Sequence, residues 1–104
     1  MHGVTKVRKH YWTNGLVTDD SMADQIIGQY EKMKASSDEP VFLHAVTMQN
    51  HTNYNKDNYP DDQRVKVLEH PAGMKASTVG ALEDFATGIR DADAMLGKLT
   101  AYFS

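Results

Sequence analysis

Apolar residues follow three patterns along the chain, and each predicts a different element. In the first, Met22, Ile26, Tyr30 and Met33 recur at spacings of four, four and three, joined by Ala23 and Ile27. That spacing lays side chains along one face of an amphipathic helix, predicted over residues 21–35. Thr18, Asp19, Asp20 and Ser21 stand just before it. Their short oxygen-bearing side chains can accept hydrogen bonds from the first free amides, and the acidic ones suit the positive helix end. The methionines read as core filler. Ser36, Ser37, Asp38, Glu39 and Pro40 end the helix.

The second pattern is the run Val41, Phe42, Leu43, His44, Ala45, Val46, Thr47, Met48, opened by Pro40 and turning polar at Gln49, Asn50 and His51. Apolar continuity over four to eight residues is how a strand buried on both faces reads. His44, inside the run, is expected to be a satisfied core histidine. Helix, short loop and buried strand make half of a βαβ crossover, so the fold class is α/β. The preceding strand would come from residues 1–12 or from sequence not present here. Open α/β sheets bind ligands at the carboxyl ends of their strands, which makes His51 the first candidate for function. The alternative, that Asn50 and His51 only hydrogen-bond the turn, stays open.

The third pattern follows Ser77 and Thr78, expected as a cap. Leu82, Phe85, Ile89, Ala92, Leu96, Leu99 and Phe103 recur at alternating spacings of three and four. This seven-residue seam is compatible with a coiled coil. Gly80, Gly88 and Gly97 fit a helix packed on a sheet better, because each costs an isolated helix about 1 kcal/mol relative to alanine while permitting close approach. The seam is still apolar at Phe103, so the chain is expected to be cut from a longer domain. Strand and seam would then lack their full cover, and self-association is expected.

Elsewhere the signal is weaker. Trp12 among the first 17 residues reads as cover for the edge of a core, with a turn at Asn14 and Gly15. Residues 50–62 are polar and turn-rich, with Tyr54 and Tyr59 as the large side chains, as in functional or mobile loops. Arg64, Val65, Lys66, Val67 and Leu68 alternate, as an edge strand or extended loop would.

Composition narrows the function. A length of 104 residues makes one domain or a piece of one. Eleven basic against fourteen acidic residues, a net charge of −3, give no basic face for nucleic acid. The absence of cysteine excludes disulfides, thiolate nucleophiles and zinc-thiolate sites. No apolar run approaches the roughly 18 residues of a membrane span, and the start lacks a signal-peptide core, so the chain reads as soluble. Among the five histidines, His44 and His51 would point to opposite faces of a strand about 23 Å apart, and none has helical metal-site spacing. Asp57, Asp61 and Asp62 do not match an EF-hand. Neither a phosphate-cradling glycine loop nor a G-x-S-x-G elbow occurs, so no self-contained catalytic set or metal site is visible.

Residues 40–51, PVFLHAVTMQNH, followed by Tyr54, resemble a signature of the lipoteichoic acid synthase and phosphoglycerol transferase family, within the sulfatase and alkaline-phosphatase superfamily. Two further segments fall in the same order: residues 12–20, WTNGLVTDD, similar to the family's W-x-x-G-L-x-D, and 89–99, IRDADAMLGKL, similar to its later helix. The resemblance implies a partial alkaline-phosphatase-like α/β/α sandwich, with residues 1–104 a single internal fragment of the catalytic domain. It implies a parent at the extracytoplasmic face of the bacterial membrane, where a threonine nucleophile and a divalent metal, manganese or magnesium, attack a phosphatidylglycerol-type phosphodiester. His51 would contact the glycerol phosphate head group of this phospholipid substrate, with Asn50 and Tyr54 beside it. Thr52 and Asn53 depart from the family pattern after that histidine. The nucleophile segment lies upstream of this chain and the Gly-Asp-His metal motif lies beyond Ser104, so the chain is expected to be catalytically incomplete and without a cofactor of its own. The alternatives are another sulfatase or phosphodiesterase of the superfamily, or a small non-enzymatic module that dimerises through its last helix.

Overall fold

A computed structural model describes residues 16–51, 54 and 58–104. They form two long helices, α1 (Asp19–Ser36) and α2 (Ala76–Phe103), with a 3-10 turn (Asp61–Gln63) between. Trp12 lies outside the described residues, as do Thr52 and Asn53.

The first helix begins where its capping residues predict. Thr18 is extended, and its Oγ1 accepts a hydrogen bond from the Ser21 amide at 3.1 Å. At the other end Lys34 Nζ donates to the carbonyls of Asp38 and Glu39, at 3.4 and 3.0 Å. Along the predicted stripe Ala23 is fully buried, while Met22, Ile26, Ile27, Tyr30 and Met33 are partly covered. The second helix starts at Ala76 with Lys75 as its cap residue and no side-chain cap bond. Ser77 and Thr78 therefore sit in the first turn instead of capping it, and the amides of Thr78 and Val79 both close on the Lys75 carbonyl, at 3.0 and 3.1 Å.

Contacts between the helices fix their direction. Asp20 and Asp24 accept from Lys98 Nζ at 2.9 and 2.7 Å, Glu31 accepts from the Tyr102 hydroxyl at 2.8 Å, and the Tyr30 ring meets Phe103 edge-on at 4.9 Å. Later residues of α1 meet later residues of α2, so the helices run in the same direction. The segment between them returns to the start of α1, where Gln49 meets Asp19. Helix, return and parallel helix is the course of an α/β crossover.

The return segment is not the strand that its composition predicts, and no strand element occurs among the described residues. Val41, Leu43 and Thr47 are partly covered, whereas Phe42 is 87% and Val46 65% exposed. His44 is exposed too, so it is not a core histidine. A strand buried on both faces needs ladder partners at its edges and cover on each side, and here one side lacks cover. Residues 65–68 are an extended loop. The Val65 amide donates to Thr87 Oγ1 at 2.9 Å and the Val67 amide to Glu83 Oε2 at 3.0 Å. Two alternate amides thus find acceptors one turn apart on α2, in place of a ladder.

The seam of α2 is also displaced from its expected role. Leu82, Phe85, Ile89, Leu96 and Phe103 are 45–58% exposed, while Gly80, Asp84, Thr87 and Gly88 are buried. Those four share a face about a third of a turn away from the seam. Small and polar residues allow the loops to approach the helix closely, and the loops take the face that offers acceptors. None of the described helices is long and apolar enough to cross a membrane.

Candidate functional site

The fold closes on a polar joint, and the candidate loop grows from it. Gln49 is 1% exposed, at the point where the return segment reaches both helices. Its Oε1 accepts from the Asp19 amide at 2.6 Å, one of the first amides of α1 that has no partner within the helix. Its Nε2 donates to Asp91 Oδ2 on α2 at 2.8 Å and to the Tyr59 hydroxyl at 3.3 Å. One side chain therefore ties α1, α2 and the 58–64 loop together, using both amide hydrogens and one acceptor.

The next residues turn away from this joint. Asn50 Nδ2 donates to the Gly88 carbonyl at 3.2 Å, and the His51 amide closes a turn on the Met48 carbonyl at 3.0 Å. The approach to α2 is possible only because residue 88 has no side chain. A Cβ there would overlap Asn50 Oδ1 and come within 2.9 Å of its Cγ and 3.3 Å of the Tyr59 hydroxyl. Tyr54 donates its hydroxyl to the Asn50 carbonyl at 2.8 Å and sets its ring edge-on against Phe85 at 5.6 Å. His51, exposed, is carried by this braced turn. The three sequence candidates thus share one loop, with Asn50 and Tyr54 spending polar atoms on its shape.

A family model for sulfatases matches residues 4–104. The chain belongs to the sulfatase family. No curated protein and no solved structure gave a match. For a sulfatase-family chain the polar joint matters because it sets the turn on which the candidate histidine stands.

Within this sulfatase-family joint the Asp19 carboxyl is the strained member. It is 1% exposed, and neither oxygen has a hydrogen-bond partner. Burial raises its pKa above the ordinary 3.8, the neighbouring Asp91 charge raises it further, and the Thr47 side chain acts the other way. Burial likewise raises the Tyr59 hydroxyl, opposed by the Gln49 bond and reinforced by Asp91, Asp84 and Asp19. For Asp19 the sign follows from linkage. A carboxyl easier to protonate when folded costs nothing below pH 3.8, and its penalty grows as pH rises through the folded value. Asp19→Asn should therefore raise the melting temperature at pH 7 and flatten the fall in stability above pH 4. Removal of a desolvated negative charge beside Asp91 relieves a cost on the order of 1–3 kcal/mol. Loss of a negative charge from the first helical turn costs about 0.3–1 kcal/mol, so a net gain is expected. Thermal unfolding of both proteins between pH 3 and 8 measures it; a variant less stable at pH 7 refutes the argument.

A groove of about 570 Å3 lies elsewhere, lined by Asp61, Arg64, His70, Met74, Val79 and Glu83 but not by His51. The Arg64 side chain, 6% exposed, holds the loop to α2. It donates to the Tyr59 carbonyl at 2.9 Å and faces Asp61, Glu83 and the fully buried Asp84 at 3.7–3.9 Å. Among the described residues no group of three or more His, Cys, Asp or Glu side chains could hold a metal ion. The residues described here therefore do not fit a divalent-metal site.

Sequence reasoning missed Gln49, Asp19, Asp91 and Gly88 as members of one constellation. A signal existed for α2: Gly80, Asp84, Thr87, Gly88 and Asp91 recur at helical spacing, a small and polar stripe beside the apolar seam.

Proposed function

We propose that this chain is part of an extracytoplasmic phosphoglycerol transferase acting on a phosphatidylglycerol-type phosphodiester. His51 contacts the phosphate of the glycerol phosphate head group, and Asn50 and Tyr54 form the loop around it. One observation carries the reading: His51 is exposed on a turn whose preceding residues are anchored to both helices and whose carbonyl at Asn50 is braced by Tyr54. An imidazole held out from a fixed base meets phosphate oxygens without the entropy cost of ordering a mobile loop. Neutral imidazole offers one N–H and imidazolium two, and both match oxygens that gain charge during phosphoryl transfer. The nucleophile and the manganese or magnesium ion of such a reaction belong to residues other than those described, so the described residues supply substrate contacts and not the bond-making groups.

The test is a titration of the chain with sn-glycerol 3-phosphate, followed by NMR of the histidine rings. Saturable shifts of His51, with His44 and His70 unmoved and sulfate at equal ionic strength much weaker, are expected. An unmoved His51 overturns the proposal, and an equal response to sulfate would move it to sulfate-ester chemistry.

A further inference from the structure

We propose that Gln49 is the positioning residue of the His51 site, its side-chain amide acting as the three-way connector that sets where the imidazole stands. This rests on the phosphate-contact reading of His51 and extends it to a residue that touches no substrate. Gln49 is fully buried, so its amide faces protein on every side. Each of its three bonds goes to a different element: Asp19 on α1, Asp91 on α2, Tyr59 on the intervening loop. The chain from Gln49 Cα to the His51 amide has little freedom left, because Asn50 is bonded to Gly88 and the His51 amide to Met48. Movement of Gln49 would therefore be transmitted to His51 with little damping.

The chemistry of the position is also directional. Only a group with an acceptor toward Asp19 and a donor toward Asp91 satisfies both partners. An ionised glutamate keeps the acceptor, loses both donors, and adds a negative charge beside the carboxyl groups of Asp19 and Asp91, the latter also paired with Arg90. A protonated glutamate has one carbonyl and one O–H, and so restores the acceptor and one donor. Gln49→Glu is thus expected to behave as a conditional variant, and Gln49→Met, of similar size, as an unconditional one.

The experiment compares wild type, Q49E and Q49M at pH 7.5 and pH 5, with wild type at each pH as reference. Two readouts are taken: the His51 amide and ring resonances without ligand, and the affinity for sn-glycerol 3-phosphate. Met keeps none of the three bonds, and displacement of the imidazole from its one phosphate contact corresponds to roughly tenfold, so Q49M should bind about tenfold more weakly at both pH values. Q49E should bind as weakly at pH 7.5 and recover toward wild type at pH 5, with its His51 resonances moving back in parallel. Lys98→Ala, which breaks the exposed ion pairs between the helices, controls for destabilisation alone and should leave both readouts in place. If Q49E and Q49M lower the melting temperature while His51 resonances and affinity match wild type, Gln49 is structural only and the inference fails. If Q49M does not fold, the pH-dependent recovery of Q49E decides the matter, and no recovery refutes it. A wild-type chain indifferent to the ligand would overturn the phosphate reading. The ligand-free spectra still judge the placement, since unchanged His51 resonances in Q49E at pH 7.5 would overturn it.

Discussion

Replacing His51 with alanine in a catalytic domain that contains this chain is expected to lower kcat/KM for phosphoglycerol transfer by roughly ten- to a hundredfold, through loss of a charged hydrogen bond worth about 1.5–3 kcal/mol. The melting temperature should barely move. His51 is exposed, and the turn that carries it is shaped by bonds from Gln49, Asn50, Tyr54 and the His51 backbone amide. His44→Ala is the matched control: also an exposed histidine, it should leave activity intact and shift stability by no more than about 0.5 kcal/mol. Kinetics and thermal unfolding on the three proteins separate the outcomes. Full activity with lost stability in H51A would make that residue structural.

Gly88→Ala should be strongly destabilising. The added methyl group would occupy the place of the Asn50 amide and press on the Tyr59 hydroxyl. Overpacking costs about 1–3 kcal/mol, and displacing the exposed Asn50 side chain from the Gly88 carbonyl forfeits a part-buried hydrogen bond worth about 0.5–1.5 kcal/mol. The higher helix propensity of alanine returns only about 1 kcal/mol. Gly28→Ala and Gly97→Ala supply the contrast. Both sit inside helices with nothing within 4 Å of a new Cβ, so each should stabilise by about 0.8–1 kcal/mol. Urea unfolding of the three variants checks the prediction, and a G88A protein as stable as G97A would show that the Asn50 loop does not rest on α2 as described.

The sequence made some of this legible and hid the rest for physical reasons. The start of α1 was readable at Thr18 because capping is local chemistry, decided within three residues. Among the glycines of the second helix, Gly88 does mark a close approach, being closed to a methyl group by a neighbouring loop, whereas Gly97 faces open space. The central run was misleading because apolar continuity reports what a segment could bury, and Phe42 and Val46 are exposed. The seam from Leu82 to Phe103 misled similarly: periodicity locates an apolar face without saying which face the chain itself covers. His51 stood out as a candidate because a polar group ending an apolar run is conspicuous. Gln49, two residues earlier, was passed over because its importance lies in partners distant along the chain.

That distance also governs the order of assembly. The bonds that close the joint link residues 30, 42 and 38 positions apart, namely Asp19 to Gln49, Gln49 to Asp91, and Asn50 to Gly88. Helix formation needs only neighbours and takes about a microsecond or less, whereas each of these closures must first overcome the entropy of a long loop. Both helices can therefore be present while the turn bearing His51 is still unset. By the same entropy argument the turn is expected to set before the tips of α1 and α2 lock together, since those contacts close over 71 and 78 positions.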